Sequence, residues 1–299
     1  MKLSGLHLLL SYQCNFECAH CFVWGSPWQE GTMTLEDIRH ILQQAEEAKS
    51  IRWIYFEGGE PFLYYATLVK GIEMASVAGF EVGVVTNGYW ATSLEDAINC
   101  LHPLASSVKD LSISSDLYHY NQKLSQYALN AVQAAEILHI PVGIISIAQP
   151  EFGATGVQGQ LPPGESGVMF RGRAAIKLAQ QVNLQPWESF SECPFEDLRD
   201  PGRVHLDPLG YVHICQGISL GNIYQTPLAE ICARYDAQEH PITGILLAGG
   251  AAEFVRRFQL PVTAGFADAC HLCYSARCML RPRFPDYLLP DQMYGIYNQ

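Results

Sequence analysis

Basic runs are missing from this chain. Its 18 lysines and arginines are outnumbered by 30 aspartates and glutamates, for a formal net charge of −12. A nucleic-acid binder ordinarily carries a basic patch that neutralises phosphates, so DNA and RNA are not expected partners. No apolar stretch reaches the ~18 residues of a membrane-spanning helix, so no membrane is expected either. Leu6-His7-Leu8-Leu9-Leu10 could pass for the apolar centre of a signal peptide. It contains a histidine, lacks a small-residue cleavage site and runs straight into a cysteine-rich loop, so it reads as a first strand. Charged residues are only 16% of the chain and hydrophobic residues 48%, an ordinary globular balance in which disorder is not expected. No internal repeat or long low-complexity tract stands out, and 299 residues leave room for one large domain or two modest ones.

Cysteine is abundant. Ten occur, and their clustering points to metal rather than to disulfides, which fits a reducing cytoplasm. Cys14, Cys18 and Cys21 are spaced C-x3-C-x2-C. Three thiolates are one short of a closed tetrahedral zinc site. On a cubic 4Fe–4S cluster they hold three irons and leave the fourth open for an outside ligand. Residues 51–56 form an apolar, aromatic and β-branched run that reads as a buried strand, ending in Glu57-Gly58-Gly59-Glu60-Pro61. The two glycines let backbone approach a ligand closely. Glu60 can accept charge-assisted hydrogen bonds from an ammonium group.

The cysteine triple and the Gly-Gly-Glu turn behind strand two together resemble the radical S-adenosylmethionine (SAM) superfamily. The resemblance implies an α/β fold, a partial (β/α)6 TIM-like barrel, with a 4Fe–4S cluster on Cys14, Cys18 and Cys21. It implies SAM chelated to the open iron through its amino and carboxylate groups, and cleaved by one electron to methionine and a 5′-deoxyadenosyl radical. The cofactors carry that chemistry, and the protein orients them. Gly58, Gly59 and Glu60 would receive the methionine amine. His20 stands where the family places an aromatic residue against adenine. By analogy Ser114 and Asp116, ending strand four, and Asn87, ending strand three, would bond SAM; Asp116 could equally cap the following helix. A flavodoxin- or ferredoxin-type protein would donate the electron, and the cluster would be oxygen-sensitive.

The rest of the first half alternates strand and helix, which argues for parallel βαβ units. Strands are expected over 5–12, 51–56, 81–86, 110–115 and 141–147, with helices over about 34–49, 65–78, 93–101 and 121–138. Thr34 with Asp37, and Ser93, read as N-caps. Residues 150–167 read as a loop and 168–170 as a short sixth strand, before a helix opened by Arg171-Gly172-Arg173-Ala174 and running to about 182. Active groups of such barrels gather at the C-terminal ends of the strands. That makes Tyr118, His119, Tyr89, Trp90 and Trp24 substrate-pocket candidates. Arg171 could clamp a carboxylate bidentately or sit in a surface ion pair.

From about residue 186 the pattern changes, dividing the chain into 1–185 and 186–299. Cys193 lies in an irregular stretch. A hairpin over 204–214 with a Pro-Gly turn delivers Cys215, helices follow near 228–235 and 251–258, and Cys270-x2-Cys273-x4-Cys278 closes the series. This resembles the SPASM/Twitch extension of radical SAM enzymes, in the Twitch form with one auxiliary cluster. The pattern implies Cys193, Cys215, Cys270 and Cys273 as ligands, with Cys278 a substitute or a bystander, and a closed 4Fe–4S cluster serving as an electron relay. The same spacing suits zinc. Cys100 and Cys232 read as small core residues, and His205, His213 and His271 as structural histidines. The expected function is hydrogen abstraction from a small-molecule or peptide substrate, leading to dehydrogenation, crosslinking or rearrangement in natural-product or cofactor biosynthesis. Strand one starts near residue 5, leaving no leader-binding domain before the barrel, which tilts the expectation toward a small molecule or a separately bound peptide. The alternative is a non-catalytic iron–sulfur or zinc module for redox sensing or partner binding, which would not cleave SAM.

Overall fold

The computed structural model describes residues 1–150, 164–262 and 265–296. Its first six strands are β1 (Gly5–Ser11), β2 (Trp53–Gly58), β3 (Glu81–Thr86), β4 (Val108–Ser114), β5 (Val142–Ile147) and β6 (Gly164–Ser166). Each pairs in parallel with its neighbour in chain order. Helices α1 (Leu35–Ala48), α2 (Tyr65–Val77), α3 (Leu94–Leu101) and α4 (Gln126–Ile137) form the crossovers. β1 is buried along its whole length, as strands covered on both faces are. Leu6, Leu8 and Leu10 face a core shared with Ile38, Ile41, Ile54 and Phe56. The alternate residues of β1, His7 among them, face the other side.

Local signals set the helix starts. Thr34 accepts from the Asp37 amide while Asp37 accepts from the Thr34 amide at 2.7 Å, a complete capping box. Thr34→Ala should therefore cost about 1 kcal/mol, read as a lower urea midpoint at unchanged slope. Ser93 caps α3 as expected. α4 begins later than the sequence suggests, because Ser125 rather than an earlier residue accepts from the Ala128 amide.

Two sequence expectations need correction, and a third is largely untested. The sixth strand is 164–166, not 168–170: it pairs with Ile145 to Ile147, where β5 ends, and Phe170 instead donates its amide to Asp268. The helix after Arg171, α5 (Arg173–Lys177), gives way to a single 3-10 turn, Ala179–Gln181, rather than continuing. The expected loop over 150–167 falls largely outside the described residues.

The hairpin of the second half does not stand apart. β7 (Arg203–Leu206) pairs in parallel with β1, with Gly5 opposite Arg203 and Leu8 opposite Leu206. β8 (Tyr211–Cys215) and β9 (Ile218–Asn222) follow antiparallel. Among the described residues one nine-stranded sheet results, ordered β6-β5-β4-β3-β2-β1-β7-β8-β9. Beyond it lie α6 (Leu228–Arg234), α7 (Thr243–Phe258) and α8 (Ala269–Leu280). α7 starts earlier than expected and kinks at Gly249 and Gly250. At Gly250, φ is +60°, and an added Cβ would lie 2.2 Å from the Glu192 amide nitrogen, so the kink seats the segment leading to Cys193. α8, capped by Asp268, carries Cys270 and Cys273 and is a helix that the sequence reading does not anticipate. No described helix is long and apolar enough to cross a membrane.

Candidate active site

Cys14, Cys18 and Cys21 follow β1 and line a cavity of about 230 Å³. Gly58 and Gly59 hold their loop. Their close approach is to this loop's backbone: an added Cβ would lie 2.5 Å from the Ser11 carbonyl oxygen at Gly58 and 2.0 Å from that of Gln13 at Gly59. The Gly59 amide donates to Ser11 at 2.6 Å and the Glu60 amide to Gln13 at 2.9 Å. From the other side, the buried Arg173 guanidinium donates to the carbonyls of Cys18 and Gly25, both at 2.8 Å. Asn87 ties its amide to Asn15 at 2.8 Å and lies 3.8 Å from the Cys14 sulfur. The amides of Phe16 and Gly25 point at the sulfurs of Cys14 and Cys21, at 3.4 and 3.2 Å.

Three thiols on one wall with N–H donors to sulfur fit an iron–sulfur cluster, whose electronics such donors tune. Burial pushes the Cys14 thiol up to about 12, so only a bound metal makes it a thiolate at neutral pH.

Glu60 is placed otherwise than expected. Its carboxylate is fully buried and accepts from the Asn87 amide at 2.7 Å, the Thr86 hydroxyl at 2.8 Å and the Phe62 amide at 2.9 Å. It clamps the end of β3 to the 3-10 turn Pro61–Tyr64 and does not line the cavity. The cavity receives the Gly58–Gly59 backbone and the carboxylate of Glu57 instead. Burial raises Glu60 to about 7 against the three bonds donated to it.

Asp116 likewise builds a turn. It accepts from the Tyr118 and His119 amides and the His119 ring with one oxygen, and from the Ile147 amide with the other. With four donors already on it, the carboxylate is committed to this turn, and the helix cap passes to Ser125. Asp116 still lines the cavity, as do Asn87, Ser114, His20 and His119. The His20 ring stacks on Tyr118 at 4.6 Å and meets His119 edge-on at 5.2 Å. These rings form an aromatic wall beside the cysteines. Tyr89, Trp90 and Trp24 do not line the cavity. Trp90 stacks on Phe62 and bonds Thr86, Tyr89 reaches the Phe62 carbonyl, and Trp24 bonds Tyr274 of α8.

Cys193, Cys215, Cys270 and Cys273 surround a second, smaller cavity. Cys278, exposed and one turn further along α8, does not line it. Arg171 lines both cavities. Neither a surface pair nor a free clamp, it is buried and donates to Glu196 at 3.2 Å and to the Cys215 sulfur at 3.4 Å. Arg277, 1% exposed, donates to the Gln216 carbonyl and the Tyr294 hydroxyl. Among the described residues no carboxylate lies within ion-pair distance of it, while Cys273 and Cys215 are its negative neighbours if ionised. An uncompensated buried cation is costly, so this guanidinium fits metal-bound thiolates at Cys273 and Cys215 better than neutral thiols. Burial alone would keep Cys193 protonated, pushing it up to about 12.

The remaining expectations divide. Cys232 packs in the main core and Cys100 against it. His213 bonds the buried Asp207 at 3.1 Å, and His271 accepts from the Ala267 amide. His205 differs: with His7 and Glu57 it lines the first cavity. Arg173, Arg277, His7 and Glu57 carry no sequence signal of their roles, since each depends on partners far along the chain.

Residues 8–117 match the Radical SAM superfamily. Over 111 residues the chain is 33% identical to YydG of Bacillus subtilis (strain 168), a protein named for peptide biosynthesis, in a match covering 37% of this chain and 35% of that one. The chain spans about a third of the length of the curated relatives it matches. Among solved structures, BtrN in complex with AdoMet and 2-DOIA is similar with a TM-score of 0.55, over 85% of this chain and 90% of that one at 15% identity. Native anSMEcpe with bound AdoMet is similar at 0.51, over 95% and 98% at 13% identity. The α/β architecture with its mostly parallel sheet is thus one that these solved structures share, and residues 8–117 are the part of the chain that matches the Radical SAM superfamily.

Proposed function

We propose that this protein is a radical SAM enzyme that abstracts hydrogen from a small-molecule or peptide substrate, and that residues 186–299 hold a Twitch-type auxiliary 4Fe–4S cluster on Cys193, Cys215, Cys270 and Cys273. The observation that carries the reading is the presentation of all three N-terminal thiols on the wall of a cavity large enough for a ligand. When bound, the first cluster and SAM supply a 5′-deoxyadenosyl radical. The chain's own part is to orient and enclose. Gly59, Asn87 and Arg173 fix the cysteine loop, His20 and His119 offer ring faces for adenine, and Ser114 offers a hydroxyl. Arg171 stands between the two cysteine centres, where a relay to an electron acceptor is needed after hydrogen abstraction. The name of YydG supports a peptide substrate; the two structural neighbours support only the fold. A flavodoxin- or ferredoxin-type donor would supply the electron.

Anaerobic incubation of the iron- and sulfide-reconstituted protein with SAM and a reductant should release 5′-deoxyadenosine, and Cys18→Ala should reduce that release to background. Equal release by the variant would overturn the assignment. SAM binding without cleavage would favour a non-catalytic iron–sulfur module.

A further inference from the structure

His7, Glu57 and His205 reach one point of the first cavity from three adjacent strands. The sheet register explains why. His7 of β1 lies opposite His205 of β7, and Glu57 near the end of β2 lies opposite Leu9. The Glu57 carboxylate is 3.2 Å from His7 Nδ1 through one oxygen and 3.0 Å from His205 Nε2 through the other. All three ligating atoms lie within 4.8 Å of one another. At His205 the 3.0 Å contact with Glu57 Oε1 is short but poorly aligned as a hydrogen bond. The His7 contact is aligned as a hydrogen bond, but separations of about 3 Å are also what neighbouring ligands of one cation show when each is bonded at about 2.0–2.1 Å.

Charge agrees: the Glu57 carboxylate lies between the two imidazoles. The nearby cations do not consume it: Arg203 turns to Glu196 at 3.6 Å, and Arg171 to the same carboxylate at 3.2 Å. The neighbouring trio of His20, Asp116 and His119 makes a useful contrast. Asp116 already accepts four hydrogen bonds, whereas among the described residues the Glu57 side chain has one well-aligned hydrogen bond, to His7.

We propose that His7, Glu57 and His205 form a mononuclear divalent-metal site, of the zinc-binding kind built from two histidines and one carboxylate, in the floor of the cavity. Such a ligand set leaves at least one coordination position open, and here it faces the cavity, where water or an oxygen or nitrogen donor of the substrate completes the shell. The site stands on these residues alone, and does not require that SAM be cleaved.

The test uses the full chain with its cysteines occupied by iron and sulfide. One equivalent of zinc is added, unbound metal is removed, and zinc, iron and sulfide are counted. The zinc X-ray absorption edge is then recorded. About one zinc per chain should be retained, with a nitrogen and oxygen shell near 2.0–2.1 Å and no sulfur near 2.3 Å. His205→Ala and Glu57→Gln should each lose at least about tenfold in zinc affinity with iron and sulfide counts unchanged, which reports that both variants fold. No retained zinc, a sulfur shell, or equal retention by both variants would overturn the proposal. Failure to form 5′-deoxyadenosine would remove the enzymatic reading and leave this one in place.

Discussion

Gly59→Ala is expected to destabilise the protein by about 3 to 5 kcal/mol and to strip iron from the N-terminal cysteines. The new methyl carbon would sit 2.0 Å from the Gln13 carbonyl oxygen and 2.8 Å from that of Tyr12. Both obstacles are backbone and neither can swing aside. Overpacking of this kind costs about 1 to 3 kcal/mol. Moving the strands apart also breaks the bonds from Gly59 to Ser11 and from Glu60 to Gln13, at about 1 kcal/mol each. The displaced segment is the cysteine loop, so the damage reaches the metal centre directly. Urea unfolding of the reconstituted protein and its iron count measure the two effects. Gly143→Ala is the control: nothing lies within 4 Å of its added carbon, and a change within about 1 kcal/mol is expected. Matching behaviour of the two variants would mean that the glycine pair does not seat the loop.

Arg277→Met tests the charge on the C-terminal cysteines through a change of sign. If those four side chains were neutral thiols, replacing a buried, carboxylate-free guanidinium by an apolar chain would be neutral or stabilising. If they are thiolates on a metal, the substitution removes a buried counter-charge along with its bonds to Gln216 and Tyr294. A loss of about 3 kcal/mol or more is then expected, with metal lost from the second centre and kept at the first. Metal counts before and after, with a thermal or urea midpoint, separate the two cases. Unchanged metal with raised stability would remove the auxiliary centre from the account.

The sequence is most legible where structure is written locally. The β-branched and aromatic run of 51–56 makes a strand almost where expected, and Glu81 to Thr86 is matched at both ends. Thr34 and Ser93 announce their helices because a cap is a contact over three residues. The cysteine triple is legible because cluster ligands must be close together. Misreadings come where a side chain serves a distant partner. Glu60 follows two glycines as an amine-binding carboxylate should, yet Thr86 and the Asn87 amide claim it. Arg171 finds its carboxylate 25 residues on. His205 looks like a lone structural histidine until β7 is laid beside β1, a pairing that no periodicity encodes. α8 is hidden because its cysteines draw attention to ligand spacing and away from the helical repeat that carries them.

The pairing of Arg203–Leu206 with Gly5–Leu8 has a consequence for how the chain is made. The first strand leaves the ribosome long before its second neighbour exists. At roughly 5–20 residues per second, that wait is on the order of ten to forty seconds. Throughout it, one edge of a strongly apolar strand offers unpaired amides and carbonyls to any other extended segment, the situation that invites aggregation. Expression of the N-terminal half alone should therefore give insoluble material.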